Sequence, residues 1–274
     1  MLKILLARLQ QGHRTMAYPD GPPPPMPDRF RGAPRIDSTK CPDGCKKCVE
    51  ACPTDAIQAR GTGGKMRIDL GRCLFCTDCL EACPEGALEL GSDWRLATRT
   101  REELVVEEGQ TLKLAAALDE KARRLFGRSL KLREVSAGGC VACDLDVNVL
   151  GTIGWDLGRF GIQFVASPRH ADGLLITGPV TENMKLALEK TYAAVPEPKI
   201  VIVVGTCAIS GGIFAGQPEV HDGAASVVPI DLFIPGCPPH PLTILDGLLR
   251  LIGRIEEEPW GPRLEGKDAG ATPR

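Results

Sequence analysis

The sequence predicts two modules in series: a small α+β unit, then an α/β domain built on a doubly wound parallel sheet. Three observations predict this. A cysteine-rich segment is duplicated, CKKCVEACPTDAI from Cys45 and CTDCLEACPEGAL from Cys76, and such a repeat marks a small pseudo-symmetric unit. From Lys131 onward, short β-rich runs alternate with helical stretches, the pattern of a parallel sheet flanked by helices. The cysteines also fall into two zones, Cys41–Cys83 and Cys140–Cys237.

Composition bounds the rest. The chain has 274 residues, 43% hydrophobic and 25% charged, enough for one large core or two modest ones. The formal net charge of −2 argues against a nucleic-acid partner. The 12 cysteines leave a disulfide framework, a zinc module or an iron–sulfur protein as alternatives. Met1–Gln10 is interrupted by Arg8, so it is not expected to be a signal peptide, and no twin-arginine signal is present. No stretch approaches the roughly 20 apolar residues of a membrane-spanning helix. The expected compartment is the reducing cytoplasm, which weakens the disulfide reading.

In chain order, residues 1–30 form an arm. Leu2, Leu5, Leu6 and Leu9 make one stripe of a short helix, with Lys3 and Arg8 off the stripe. The helix either packs on protein or lies against a membrane subunit or bilayer surface. Protein packing is favoured, since so short a helix is marginal alone. Pro22–Pro25 is a stiff, extended tether. Residues 31–92 hold the duplicated unit, and Gly61–Gly64 between its halves reads as a hairpin turn rather than a phosphate loop. Residues 93–130 read as a helical linker, with LAAALDEKARRLF its best helix.

The second domain is expected over residues 131–258. Its β-rich runs are Lys131–Val135, Ile162–Val165, Gly173–Thr177, Lys199–Val204 and Leu232–Ile234. Glu182–Tyr192 is its clearest helix, and Leu242–Ile255 closes the core. Residues 259–274, with Pro, Gly and charges, read as a loose tail.

Cys73, Cys76, Cys79 and Cys83-Pro84 read C-x₂-C-x₂-C-x₃-C-P, the run that wraps one cube of iron and sulfur and sends its fourth cysteine to a second. Cys41, Cys45, Cys48 and Cys52-Pro53 repeat it, with Pro42-Asp43-Gly44 lengthening the first gap. Those inserted residues are turn formers, so the loop can bulge and keep its ligand. The alternative is two zinc sites built from C-x₂-C pairs. The segment Lys40–Leu90 resembles the two-[4Fe-4S] ferredoxins. That resemblance implies a ferredoxin-like module in which Cys41, Cys45, Cys48 and Cys83 hold one cluster, and Cys73, Cys76, Cys79 and Cys52 the other. MAYPD from Met16 and FRG from Phe30 are similar to the ferredoxin-type subunits of complex I and formate hydrogenlyase. In those families the arm docks on membrane-side subunits.

The remaining cysteines follow predicted strands: Cys140 and Cys143 in SAGGCVAC, Cys207 in GTCAISGG and Cys237 in PGCPP. Open α/β sheets place their sites at the carboxyl ends of strands, and glycine lets the backbone approach closely. A C-x₂-C pair with two distant cysteines suits one further [4Fe-4S] cluster; a Cys₄ zinc site or buried free thiols are the alternatives. GGCVACDLD, VGTCAISGG and PGCPPHP, with RFGIQFVASPRHADGLLITGPVT and VPEPKIVIVVG, resemble the small subunit of group 4, energy-converting [NiFe] hydrogenases. The related 20 kDa complex I subunit has vicinal cysteines at the first motif, where this chain has Val141 and Ala142 between Cys140 and Cys143. The family usually has Gly at the place of Ala142 and Glu at the place of Asp146. The resemblance implies a flavodoxin-like domain carrying the proximal cluster.

Outside the cysteines, Asp144 and Asp146 flank the cluster loop. By the resemblance Asp146 faces the large subunit and is a candidate for proton handling; a capping or solvated carboxylate is the alternative. His240 follows the Cys237 loop and is a second proton-handling candidate, or an interface residue. His13, His170 and His221 lack metal-ligand spacing, and Arg159 and Arg169 are either surface charges or partner contacts. The resemblance implies a natural fusion of two subunits with three [4Fe-4S] clusters in a row. Nickel and catalysis belong to a hydrogenase-like large subunit; this chain has no complete active site and no catalytic residue of its own. The implied partners are that large subunit, membrane-embedded antiporter-like subunits and a formate dehydrogenase or ferredoxin donor. The implied location is peripheral, on the cytoplasmic face of the inner membrane. A nickel-free, complex I-like wire to quinone or another acceptor is the alternative function, and a zinc-stabilised interaction protein a more distant one.

Overall fold

A computed structural model describes residues 2–12, 14–58 and 65–255. Helix α1 (Leu2–Gln11) opens the chain. Among the described residues its leucine stripe finds no cover: Leu2, Leu5, Leu6 and Leu9 are all exposed, Leu9 at 80%.

The following segment is a strap on the C-terminal domain. Met16 donates its N–H to the Gly154 carbonyl at 3.0 Å. Arg159 donates to the carbonyls of Met16 and Tyr18, each at 2.6 Å. Arg159, a candidate partner contact in the sequence, instead holds the chain's own arm. Tyr18 is buried and donates its hydroxyl to Asp246 at 2.7 Å.

The small module contains β1 (Pro34–Ile36), α2 (Lys47–Glu50), β2 (Ile57–Gln58), β3 (Arg67–Asp69), α3 (Asp78–Glu81) and β4 (Leu88–Leu90). Strands β1 and β4 pair antiparallel, as do β2 and β3. The two one-turn helices, each inside one copy of the repeat, lie against each other. Gly61–Gly64, read as a turn, lie outside the described residues. Strand β5 (Val105–Glu107) then adds to β3. The expected helical linker is thus partly a strand of the small module. Its only α-helix among the described residues is α4 (Glu120–Phe126), capped by Asp119, whose side chain accepts from the Ala122 N–H. Residues 114–118 are not helical, because their backbone is bound elsewhere: Ala115 donates to Ala97, and Leu118 to Leu251.

The second domain holds β6 (Leu130–Ser136), α5 (Ala142–Val149), β7 (Ile162–Phe164), β8 (Gly173–Thr177), α6 (Glu182–Ala194), β9 (Ile200–Val204), α7 (Thr206–Ser210), β10 (Leu232–Ile234) and α8 (Pro241–Leu251). The sheet is parallel throughout, in the order β10-β9-β8-β6-β7, the flavodoxin-like order. Every residue of β8 and β9 is buried, as continuous apolar runs require when both faces are covered. Every residue of α8 is buried too. It carries an internal ion pair, Arg250 to Asp246 at 2.8 Å, completed by Tyr18 from the strap. Burial pushes the Asp246 carboxyl up, against the pull of Arg250. The expected helix Leu242–Ile255 ends earlier, at Leu251. Among the described residues, no helix is long and apolar enough to cross a membrane.

Candidate iron–sulfur centres

All twelve cysteines are free thiols, and the sulfurs that shift one another's ionisation fall into the three sets expected from the sequence. In the first, the Cys41 thiol is pushed up by burial, then by Cys45 and Cys83. Cys48 is pushed up by burial, then by Cys41, Cys83 and Cys45. In the second, burial raises Cys73 to about 12, with Cys79, Cys52 and Cys76 adding to it. Cys79 is raised to about 11 by burial, then by Cys76, Cys52 and Cys48. In the third, Cys143 is strongly raised by burial, then by Cys207, Cys237 and Cys140. Cys207 is raised to about 11 by burial, then by Cys237 and Cys140.

The repeat is visible in the first two quartets. Cys52 and Cys83 each accept a backbone N–H from four residues on, Ala56 at 3.3 Å and Ala87 at 3.4 Å. Cys73 accepts from the Phe75 N–H at 3.4 Å. The two C-x₂-C loops of different modules share a device as well. Thr77, after Cys76, has φ 81°, and Val141, after Cys140, has φ 71°. Left-handed backbone is costly for a β-branched residue, so both loops hold strain where they turn around their cysteines.

Strand ends position the third quartet. Cys140 follows β6, Cys207 opens α7 just after β9, and Cys237 follows β10. Gly205 makes the approach possible: it has φ +91°, and a Cβ there would stand 2.4 Å from the Cys143 Sγ. A Cβ on Gly212 would stand 2.9 Å from the Cys207 Sγ.

These donor sets fit [4Fe-4S] clusters. Neighbouring buried sulfurs make one another hard to ionise, so four thiolates together need strong positive charge between them.

Cys48 helps raise the Cys79 thiol, and Cys76 helps raise the Cys237 thiol. Across the module boundary, Thr206 donates its hydroxyl to the Cys73 carbonyl and Ser210 to the Gly71 carbonyl, both at 2.8 Å. Sequence reasoning did not single out these two residues; their place beside Cys207 was the one available signal.

Asp146 and His240 line one open cleft with Cys237 and Arg31, about 330 Å³ in volume. Burial raises the Asp146 carboxyl and lowers the His240 imidazole, so both are biased towards neutrality. His240 Nδ1 accepts from the Leu242 N–H at 3.1 Å and caps α8, and its ring meets Phe30 and Trp155 edge-on. Asp144 is buried and accepts from the Thr177 hydroxyl at 2.8 Å. His221 pairs with Glu182 at 2.6 Å.

Comparison with known proteins divides the chain as the fold does. Residues 40–87 match the 4Fe-4S dicluster domain, and residues 140–251 match the 20 kDa subunit of NADH ubiquinone oxidoreductase. A probable membrane-bound hydrogenase subunit mbhJ of Pyrococcus furiosus is 37% identical over 147 residues, which is 53% of this chain and 88% of that protein. Formate hydrogenlyase subunit 7 of Escherichia coli is 41% identical over 143 residues, 52% of this chain and 56% of that protein. An NADH-quinone oxidoreductase subunit of Desulfovibrio desulfuricans is 40% identical over 126 residues, 45% of this chain and 68% of that protein. With a 4Fe-4S dicluster domain ahead of its α/β domain, the chain belongs to the family of the 20 kDa subunit of NADH ubiquinone oxidoreductase.

Proposed function

We propose that this chain is the electron-transfer subunit of a membrane-associated group 4 [NiFe] hydrogenase-type complex. Each quartet holds one [4Fe-4S] cluster: Cys41, Cys45, Cys48 and Cys83; Cys52, Cys73, Cys76 and Cys79; Cys140, Cys143, Cys207 and Cys237. A bound cluster supplies one-electron redox chemistry. The chain supplies the rest: sulfur ligands, backbone N–H groups on the sulfurs, and a rigid joint between its two modules. The observation that carries this reading is the joint at Thr206, next to Cys207, whose hydroxyl donates to the carbonyls of Cys73 at 2.8 Å and of Gly236, beside Cys237, at 3.1 Å.

A hydrogenase-like large subunit docks by the third quartet, and its nickel does the bond chemistry. A ferredoxin or formate dehydrogenase donor meets the first quartet. The bare leucine face of α1 meets membrane-embedded subunits and keeps the chain peripheral on the cytoplasmic face. A nickel-free complex I-like wire is the second reading, favoured by the NADH-quinone oxidoreductase relative. The two residues between Cys140 and Cys143 favour the hydrogenase branch.

The test is iron and sulfide analysis with redox-titrated EPR on the anaerobically purified complex, together with a nickel assay. Three clusters require about twelve irons per chain. Colourless, zinc-loaded protein would refute the wire altogether. A large subunit without nickel would select the second reading.

A further inference from the structure

The Phe30-Arg31-Gly32 triplet precedes the first cysteine run, and the fold explains its outer members. Phe30 sets its ring edge-on to His240, centroids 5.5 Å apart. Gly32 donates its N–H to the Gly91 carbonyl at 2.8 Å, and a Cβ there would stand 2.4 Å from the Asp93 carbonyl oxygen. The residue between them is thus held at the junction of the two modules. Arg31 Nη1 donates to the carbonyls of Phe75 at 2.8 Å and Cys76 at 3.1 Å. Both carbonyls belong to the loop between Cys73 and Cys79. Arg31 also lines the cleft into which Cys237 of the third quartet faces.

We propose that Arg31 is a positioning residue that sets the reduction potential of the cluster on Cys52, Cys73, Cys76 and Cys79, holding it higher than an uncharged residue would. The inference rests on the reading that this quartet holds a cluster. Reduction adds one electron and one negative charge, and a fixed cation beside the loop favours the more negative form. Near the loop two further cations share one carboxylate, a net single positive charge that a change at Arg31 leaves in place. Arg72 faces Asp69 at 3.9 Å, and Asp69 also takes the Arg101 guanidinium at 2.8 and 2.6 Å. Asp78 and Glu81 of α3 are exposed, where water screens them. Arg31 is exposed as well, so its effect must weaken as salt rises.

The experiment is a dithionite redox titration followed by EPR on the full-length, cluster-loaded chain, comparing wild type, R31Q and R31K at low and high ionic strength. In R31Q the reduced-to-oxidised ratio of one cluster falls about threefold to tenfold at a given potential; tenfold is about 59 mV for a one-electron couple. The other two clusters hold their potentials, R31K stays near wild type, and added salt narrows the gap. An unchanged potential in iron-replete R31Q overturns the proposal. So does an equal fall in R31K, which would mean that guanidinium geometry rather than charge matters. If R31Q does not retain iron, R31K decides alone: a lowered potential with the charge kept overturns the proposal, and a wild-type-like potential supports it. A wild-type chain with fewer than three reducible clusters would refute the reading of the site, a failure distinguishable from that of Arg31.

Discussion

Thr206 donates its hydroxyl to the carbonyl of Cys73 at 2.8 Å, across the boundary between the two modules. Thr206 follows the end of β9 and directly precedes Cys207. One strand end therefore delivers a cysteine to the third quartet and grips the backbone of the second. The same hydroxyl reaches the Gly236 carbonyl at 3.1 Å, next to Cys237, so three cysteine loops share a single side chain.

Replacing Thr206 with Val keeps the shape and removes the hydroxyl. The expected cost is about 1 kcal/mol, the net worth of a hydrogen bond in a buried place. It should appear as a lower melting temperature of the cluster-loaded chain. EPR should also register weaker spin coupling between the second and third clusters.

Gly205→Ala tests the third quartet alone. Its Cβ would collide with the Cys143 Sγ at 2.4 Å, from a backbone that disfavours side chains. Iron analysis should fall by about four irons of about twelve, while the ferredoxin-type signals persist. Full iron content in this variant would contradict the geometry.

The buried ion pair in α8 predicts an asymmetry. Arg250→Met strands Asp246 without its cation and should cost about 3–5 kcal/mol. Tyr18→Phe removes one hydrogen bond and should cost about 1–2 kcal/mol. The double change Asp246→Leu with Arg250→Met should be milder than Arg250→Met, because it removes the charges rather than orphaning one. Thermal denaturation of the three variants checks the order.

Glu134 predicts a pH dependence. Burial first, then the neighbouring Asp144, raises its carboxyl from 4.5 to about 7. A carboxyl raised in the folded state loses its proton on unfolding between those values. Stability should therefore fall as pH rises from about 4.5 to about 7 and then level off. Glu134→Gln should flatten that part of a melting-temperature profile. An unchanged slope would remove Glu134 from the account.

The arm predicts a separation of folding from docking. Leu5→Ser with Leu6→Ser touches only exposed side chains of α1. Iron content and melting temperature should match wild type. Cosedimentation with membranes carrying the partner subunits should drop severalfold, and retention at wild-type level would leave the leucine face without that role.

Local chemistry carried most of what the sequence revealed. The repeated cysteine spacing, the strand runs before Cys140, Cys207 and Cys237, and the glycines beside them all act over a few residues. They mark out the cysteine loops and both modules. What escaped was set by contacts distant in sequence. Residues 114–118 have helical composition, yet hydrogen bonds to Ala97 and Leu251 keep them out of a helix. Strand β5 lies in a charged stretch and is a strand because β3 offers it an edge. Arg159 reads as an ordinary surface charge until the strap lies beneath it. Nothing near Thr206 or Asp246 announces a partner well over a hundred residues away.

The strap has a consequence for assembly in time. Residues 15–18 emerge from the ribosome early, but the surface they bind, Gly154, Arg159 and Asp246, is made late. The small module is thus synthesised with its leash hanging free. Tyr18 can seat on Asp246 only once α8 exists. The contact between Tyr18 and Asp246 thus joins a segment made early to a helix made late.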